Sequence, residues 1–238
     1  MFDRAIVLAG GRGTRLQPYT VVLPKPLMPL GDCPILEILI RQLARCDFRR
    51  VTLAVNHQAD IIKAFFRDGA KWKIEIDYSL ESEPLSTIAP LKLINDLPEN
   101  FLLLNGDVLT DLNFAALYEE HVRHGRLFTI AATSRQQRVD YGVLNVDTSA
   151  NLTGFREKPV LNYLVSMGIY AVNRAVVSSV PSNHKYGVDE LVIDLLRKGE
   201  KIHVLSHKGY WLDIGRADDY LQAIEDFEHR KELFLGDG

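Results

Sequence analysis

Only two cysteines, Cys33 and Cys46, occur in 238 residues. Two thiols cannot build a disulfide framework or a structural zinc site, so both are expected to be buried and reduced. No uninterrupted run of about 18 apolar residues is present, which argues against a membrane-spanning helix. The N-terminus enters a strand pattern at once and lacks the order of a secretory signal. Positive charge is not in excess. The 28 Lys and Arg against 31 Asp and Glu give a formal net charge of −3, so no global field would attract nucleic acid or an anionic membrane. Internal repeats, low-complexity tracts and linkers are lacking. These absences leave a cytoplasmic globular protein, long enough to bury a full core without covalent staples. Two common phosphate-binding strings are missing as well. There is no Gly-x-x-x-x-Gly-Lys-Ser/Thr, and Gly11-Arg12-Gly13 lacks the third glycine of a dinucleotide fingerprint, since Leu16 stands there.

What is present is an apolar strand running straight into glycines, followed by two separate cations. The string from Leu8 through Ala9, Gly10, Gly11, Arg12, Gly13, Thr14 and Arg15 reaches Pro18, and Pro24-Lys25-Pro26 follows. Glycines let the backbone approach phosphate oxygens, free N–H groups bind anions, and Arg15 and Lys25 neutralise charge that peptide dipoles cannot hold.

Beyond this string, strands and helices alternate. Residues 4–9, 51–56, 74–79 and 101–104 read as strands; 34–45, 59–67 and 86–97 read as helices, the last weakened by Pro90. That rhythm implies a mostly parallel sheet covered on both faces, a Rossmann-like three-layer α/β/α fold. Later strands are expected at 127–133, 142–146 and 168–172, added to the sheet as a mixed wall, with helices at 188–198 and 217–230 and a fraying tail from 231. One domain, 1–238, is expected, with a nucleotide half (about 1–111) and a sugar half (about 112–238). Ligands in open α/β sheets sit beyond the carboxyl ends of the strands, which places the glycine string and Asp107 on one rim.

Asp107 ends an apolar strand beside a phosphate loop. That suits Mg²⁺, which takes one or two carboxylates and completes its shell with phosphate oxygens and water. Asp213, in Tyr210-Trp211-Leu212-Asp213-Ile214-Gly215, is too early to cap the helix expected from 217 and reads as a second ligand. Lys158 can grip a phosphate and Glu157 can accept from sugar hydroxyls. Glu81 is a candidate base reader, because a carboxylate only accepts and guanine offers two adjacent donors on one edge. His121 and His124 are one helical turn apart without a partner carboxylate. They are expected to be exposed, as are His57, His203 and His207.

The ordered set of strings resembles the sugar-1-phosphate nucleotidylyltransferases, and the likeness runs from Arg4 to about Phe227. The Glu-Pro-Leu string at 83–85 is nearer the short mannose- and heptose-type guanylyltransferases than the uridylyl and thymidylyl types. The resemblance implies Mg²⁺-dependent transfer of a nucleoside monophosphate from a triphosphate, GTP favoured, to a mannose-, heptose- or hexosamine-type sugar 1-phosphate. Another base, a non-sugar phosphate acceptor, or a silent nucleotide-sugar sensor stays open. Arg15, Lys25 and Asp107 would be catalytic, and Asp107 and Asp213 would hold the metal. Leu8, Ala9, Gly10, Gly11, Gly13, Thr14, Arg15, Glu81, Pro84, Ser86, Thr87 and Gly106 would bind the nucleotide. Tyr141, Gly142, Glu157, Lys158, Ser166 and Gly168 would bind the sugar phosphate. Ser86 stands where the family often has glycine, and Ser166 where it has asparagine. A homodimer is among the assemblies left open.

Overall fold

Strand β1, Phe2–Leu8, carries an unbroken buried run from Arg4 to Val7, the pattern of a strand covered on both faces. In the computed structural model, which describes residues 2–181 and 184–236, it lies inside a seven-stranded sheet. The other strands are β2 (Phe48–Val55), β3 (Glu75–Leu80), β4 (Asn100–Asn105), β5 (Phe128–Arg138), β6 (Val160–Asn173) and β7 (Ile202–His207), in the order β7-β5-β6-β4-β1-β2-β3. β6 runs antiparallel to both β4 and β5, and the remaining neighbours are parallel.

The alternation of β1 defines two faces. Ala5 and Val7 pack with α1 (Ile35–Arg45), α2 (Ala59–Phe66) and α3 (Phe114–Arg123) through Leu36, Leu39, Ile62, Phe66 and Leu117. Ile6 points the other way, to α4 (Val188–Arg197), through Leu191 and Leu195. The architecture is the expected three-layer, mostly parallel mixed sheet. A third apolar cluster joins Leu16, Met28 and Ile214 to α5 (Ala217–His229) and α6 (Lys231–Leu235). No helix among the described residues is long and apolar enough to cross a membrane.

Besides the strand expected at 142–146, which pairs as Val143–Val146 only with Leu152–Arg156 and does not join the seven-stranded sheet, four expectations need correction. The helix expected over 86–97 is only a 3₁₀ segment, Ala89–Leu93. Pro90 has no N–H to give, and the N–H groups of Ile88 and Ala89 donate to the Tyr186 carbonyl at 3.0 and 3.1 Å instead of to their own turn. The tail from 231 does not simply fray. It forms α6, and Phe234 is fully buried, while residues 237–238 lie outside the described residues. Cys33 is buried, but Cys46 is only half-buried; both are free.

The fourth correction concerns the histidines. His121, on the buried face of α3, is fully buried, its Nδ1 2.9 Å from Thr129 Oγ1, and His207 Nε2 meets Asp111 Oδ1 at 2.7 Å. Burial, then the charges of Arg126 and His203, push His121 down to about 4 from 6.5. The folded state therefore holds His121 neutral while the unfolded chain takes up the proton. Its contribution is intact above pH 6.5 and is lost as pH falls toward 4. The urea midpoint should drop across that window, and His121→Gln should flatten the drop. Parallel midpoint curves for the two proteins would refute the assignment.

Candidate active site

The site is built where four strand ends coincide. Leu8 pairs with Ala54 on one side and Asn105 on the other, and Val55 pairs with Leu80. The glycine loop, Asn56, Glu81 and Asp107 therefore leave the sheet at one edge. Gly106 allows the two central strand ends to touch. Its N–H donates to the Leu8 carbonyl at 3.0 Å, and a β-carbon there would stand only 2.8 Å from the same oxygen. That approach requires glycine.

Beyond the loop, Gly13 takes a left-handed φ of 61° and opens a 3₁₀ turn, Thr14–Leu16. Its carbonyl accepts from Thr20 Oγ1 at 2.7 Å, and Leu16 is buried in the third cluster as an anchor. Lys25 is buried between Pro24 and Pro26. A buried ammonium is tolerated only when paired, and Lys25 Nζ forms its hydrogen-bonded ion pair with Asp107 Oδ2.

Asp213 arrives by backbone pairing. The short strand Trp211–Asp213 runs antiparallel to Val108–Thr110, with Asp213 opposite Val108, and Ile214 N–H donates to the Asp107 carbonyl at 3.0 Å. Burial, and next the negative charge of Asp107, raise the Asp213 carboxyl above its ordinary range, while Lys25 and Arg15 oppose the rise. Arg15 lies close by. A β-carbon on Gly215 would stand 3.4 Å from Asp213 Oδ2 and 3.6 Å from an Arg15 guanidinium nitrogen, so Gly215 leaves that space open. Arg15, Lys25, Asp107 and Asp213 thus form one cluster. Asp213 does not cap α5; the cap is Arg216, whose N–H donates to Asp219.

Next to the cluster is a pocket of about 300 Å³. Leu8, Gly10 and Gly11 line one side, and Glu81, Pro84, Ser86 and Thr87 the other, with Asn105 and Asp107 closing it. Glu81 is 7% exposed, accepts Leu85 N–H at 3.0 Å, and is raised in pKa by burial. Asn56 Nδ2 donates to the Glu81 carbonyl at 2.8 Å. Ser86 sits at φ 74°, a conformation that favours glycine and strains a side chain. It is held from across the chain, because Val188 N–H donates to Thr87 Oγ1 at 2.9 Å and Tyr186 N–H to the Leu85 carbonyl at 3.1 Å. Ala9, Thr14 and Gly106 do not line the pocket. The Ala9 N–H is spent on the Ala54 carbonyl.

The residues read as sugar-binding divide into two groups. Ser166 and Gly168 stand at an irregularity in the pairing of β6 with β5. Gly168, φ 72°, presses on Asn105, whose Nδ2 would lie 2.5 Å from a β-carbon there. Its N–H meets Ser166 Oγ at 3.3 Å, and Ser166 Oγ is 3.1 Å from Tyr170 OH. Asn105 therefore links them to the pocket. Tyr141, Gly142, Glu157 and Lys158 are exposed, flanking the antiparallel ribbon of Val143–Val146 and Leu152–Arg156. Gly142 lies against the Phe155 ring with Glu157 beside it. None of these four lines the pocket. Asn56, Asn105 and Gly215 were not singled out from the sequence. Asn105 precedes Gly106-Asp107 and carried a signal; Asn56 and Gly215 carried none that could be read locally.

A glycine loop, a buried lysine, an arginine and two carboxylates are thus gathered at the carboxyl edge of the parallel strands. A family model described as Nucleotidyl transferase matches residues 4–230. The chain is 32% identical to a mannose-1-phosphate guanyltransferase of Aspergillus oryzae, over 92% of this chain and 63% of that protein. It is 31% identical to a UTP–glucose-1-phosphate uridylyltransferase of Synechocystis, over 93% and 62%. Among solved structures, HddC from Yersinia pseudotuberculosis superposes with a TM-score of 0.74 at 25% identity, covering 95% of this chain and all of that one. The chain belongs to the nucleotidyl transferase family. It spans about three fifths of the length of the curated relatives it matches.

Proposed function

We propose that this protein transfers a nucleoside monophosphate from a nucleoside triphosphate to a sugar 1-phosphate and releases pyrophosphate. An oxygen of the sugar phosphate attacks the α-phosphorus, the bond from that phosphorus to the α–β bridging oxygen breaks, and pyrophosphate leaves with the electron pair. No covalent enzyme intermediate is required. Catalysis is alignment of two anions plus neutralisation of their charge. The observation that carries the reading is the shared cluster of Arg15, Lys25, Asp107 and Asp213. In it, Arg15 holds the β- and γ-phosphates and Lys25 the charge at the α-phosphorus.

Mg²⁺ fits the donor set. Asp107 Oδ1 is buried with no hydrogen-bond partner, and Asp213 supplies a second hard carboxylate. Two carboxylates suffice for an ion that completes its shell with phosphate oxygens and water. When bound between Asp107 and Asp213, the ion would neutralise phosphate charge during the displacement.

GTP is the favoured triphosphate. Glu81 is buried in the pocket and can accept from the two adjacent donors of a guanine edge. Ser166, Gly168, Glu157 and Lys158 are the sugar-phosphate side of the proposal, for a mannose-, heptose- or hexosamine-type sugar. The test is a pyrophosphate-release panel of four triphosphates against several sugar 1-phosphates. GTP should give the highest kcat/KM. Glu81→Gln should lower the GTP value about 10- to 100-fold, the range for losing a hydrogen bond to a charged group, and leave UTP nearly unchanged. Equal losses for every base would remove Glu81 from base reading. Binding without turnover across the whole panel would replace the transferase with a nucleotide-sugar sensor.

A further inference from the structure

Asn56 follows β2 and Glu81 follows β3, and the pairing of these two strands ends at Val55 and Leu80. Past that point no strand ladder sets the direction of the chain. Glu81 N–H still donates to the Val55 carbonyl at 2.9 Å. The Glu81 carbonyl accepts from Asn56 Nδ2 at 2.8 Å, and this bond fixes the plane of the peptide that leads to Ser82. The turn starting there brings Leu85 N–H back to Glu81 Oε2 at 3.0 Å. Oε2 is thereby engaged. Among the described residues no hydrogen bond engages Oε1, which is left to face a ligand in the pocket that Glu81 lines.

Gly10 keeps this arrangement clear. A β-carbon there would stand 3.1 Å from both Cβ and N of Asn56 and 3.4 Å from Glu81 Oε1. Its φ lies outside the left-handed region, so what the position needs is space rather than backbone freedom. The first glycine of the loop thus borders the junction of Asn56 with Glu81. Asn56 is not among the residues lining the pocket, so whatever it does to a ligand it does through Glu81. We propose that Asn56 is a positioning residue for base selection: by orienting the Glu81 peptide, it holds Oε1 where the carboxylate can accept from the base. A carboxylate that is already oriented gives up less conformational freedom when its ligand arrives. The assignment rests on the reading of Glu81 as the base reader, and the measurement that tests it keeps the two apart.

The readout is the ratio of kcat/KM with GTP to that with UTP, measured for the unaltered protein, Asn56→Ala, Glu81→Gln and the double variant. Dissociation constants of the two triphosphates supply the ratio if turnover with UTP is too slow to measure. Asn56→Ala should lower the ratio about 3- to 10-fold, the range for losing one neutral hydrogen bond, with the loss mainly in the KM for GTP. In the Glu81→Gln background the same substitution should leave the ratio unchanged within about twofold, because the two residues act as one unit. Asn56→Asp, which keeps the shape and loses the N–H donor, gives the same comparison if Asn56→Ala does not fold. A role in structure alone would weaken both triphosphates together and leave the ratio intact. That result overturns the proposal, as does a full additional loss in the double variant. If Glu81→Gln by itself does not move the ratio, the base reader is misassigned and Asn56 falls with it. If Glu81→Gln moves the ratio and both Asn56 variants leave it alone, the base reader stands and only the positioning role is lost.

Discussion

Asp107→Asn should lower pyrophosphate release by at least about 10³-fold, the scale of removing one preorganised electrostatic group from a site of this kind, and should leave the fold in place. Asparagine keeps the shape of the side chain but loses its negative charge. Lys25 then faces an amide in place of its ionised partner, and the pair with Asp213 no longer offers two carboxylates to a cation. Stability should fall as well, because the buried Lys25 ammonium loses its ionised partner. Relief of the Asp107 charge, which adds to burial in raising the Asp213 carboxyl, offsets only part of that loss. Steady-state turnover and a thermal melt on the same preparation separate these effects. Near-normal turnover in Asp107→Asn would take Asp107 out of the mechanism, and a collapsed melt would mean that its role is structural.

Phe234→Ala should cost about 3–5 kcal/mol of folding stability, the range for truncating a buried aromatic side chain. Phe234 is fully buried. Its ring centre lies 6.0 Å from that of Phe227 and 5.2 Å from that of Tyr210. The same cluster contains Leu16, one residue from Arg15, and Ile214, one residue from Asp213. A cavity there loosens the support beneath two members of the active cluster, so turnover should fall together with the urea midpoint. The neighbouring Leu233 is 44% exposed, and Leu233→Ala should change stability by no more than about 0.5 kcal/mol. Similar urea midpoints for the two variants would show that α6 does not anchor the fold.

Much of the scaffold was legible because its signals are local. The apolar runs of β1, β2 and β4, and the helical spacing of Ile35, Leu36, Leu39, Ile40 and Leu43, announce elements that the structure contains. Other elements were misjudged where partners distant in sequence decide the outcome. Residues 86–97 have helical spacing, yet their first N–H groups are taken by the Tyr186 carbonyl. β5 and β6 run well past their expected ends because each half extending from the sheet is paired only with the other. Its side chains are largely exposed and carry no burial pattern. His121 has the surroundings of a surface residue on paper and is buried only because α3 packs it against β5.

Residue order alone determined the chemistry available: a glycine loop after a strand, an arginine and a proline-framed lysine, an aspartate after an apolar run, and the family these strings resemble. That information is written in neighbours along the chain, where backbone conformation and residue type act over a few positions. The tertiary structure decided which of those groups meet. Asp213 reaches Asp107 through the pairing of Trp211–Asp213 with Val108–Thr110, Ser86 is pinned by the segment before α4, and Tyr141 and Lys158 remain on an exposed ribbon. Each depends on hydrogen bonds and packing between segments far apart in sequence, which a one-dimensional pattern does not encode.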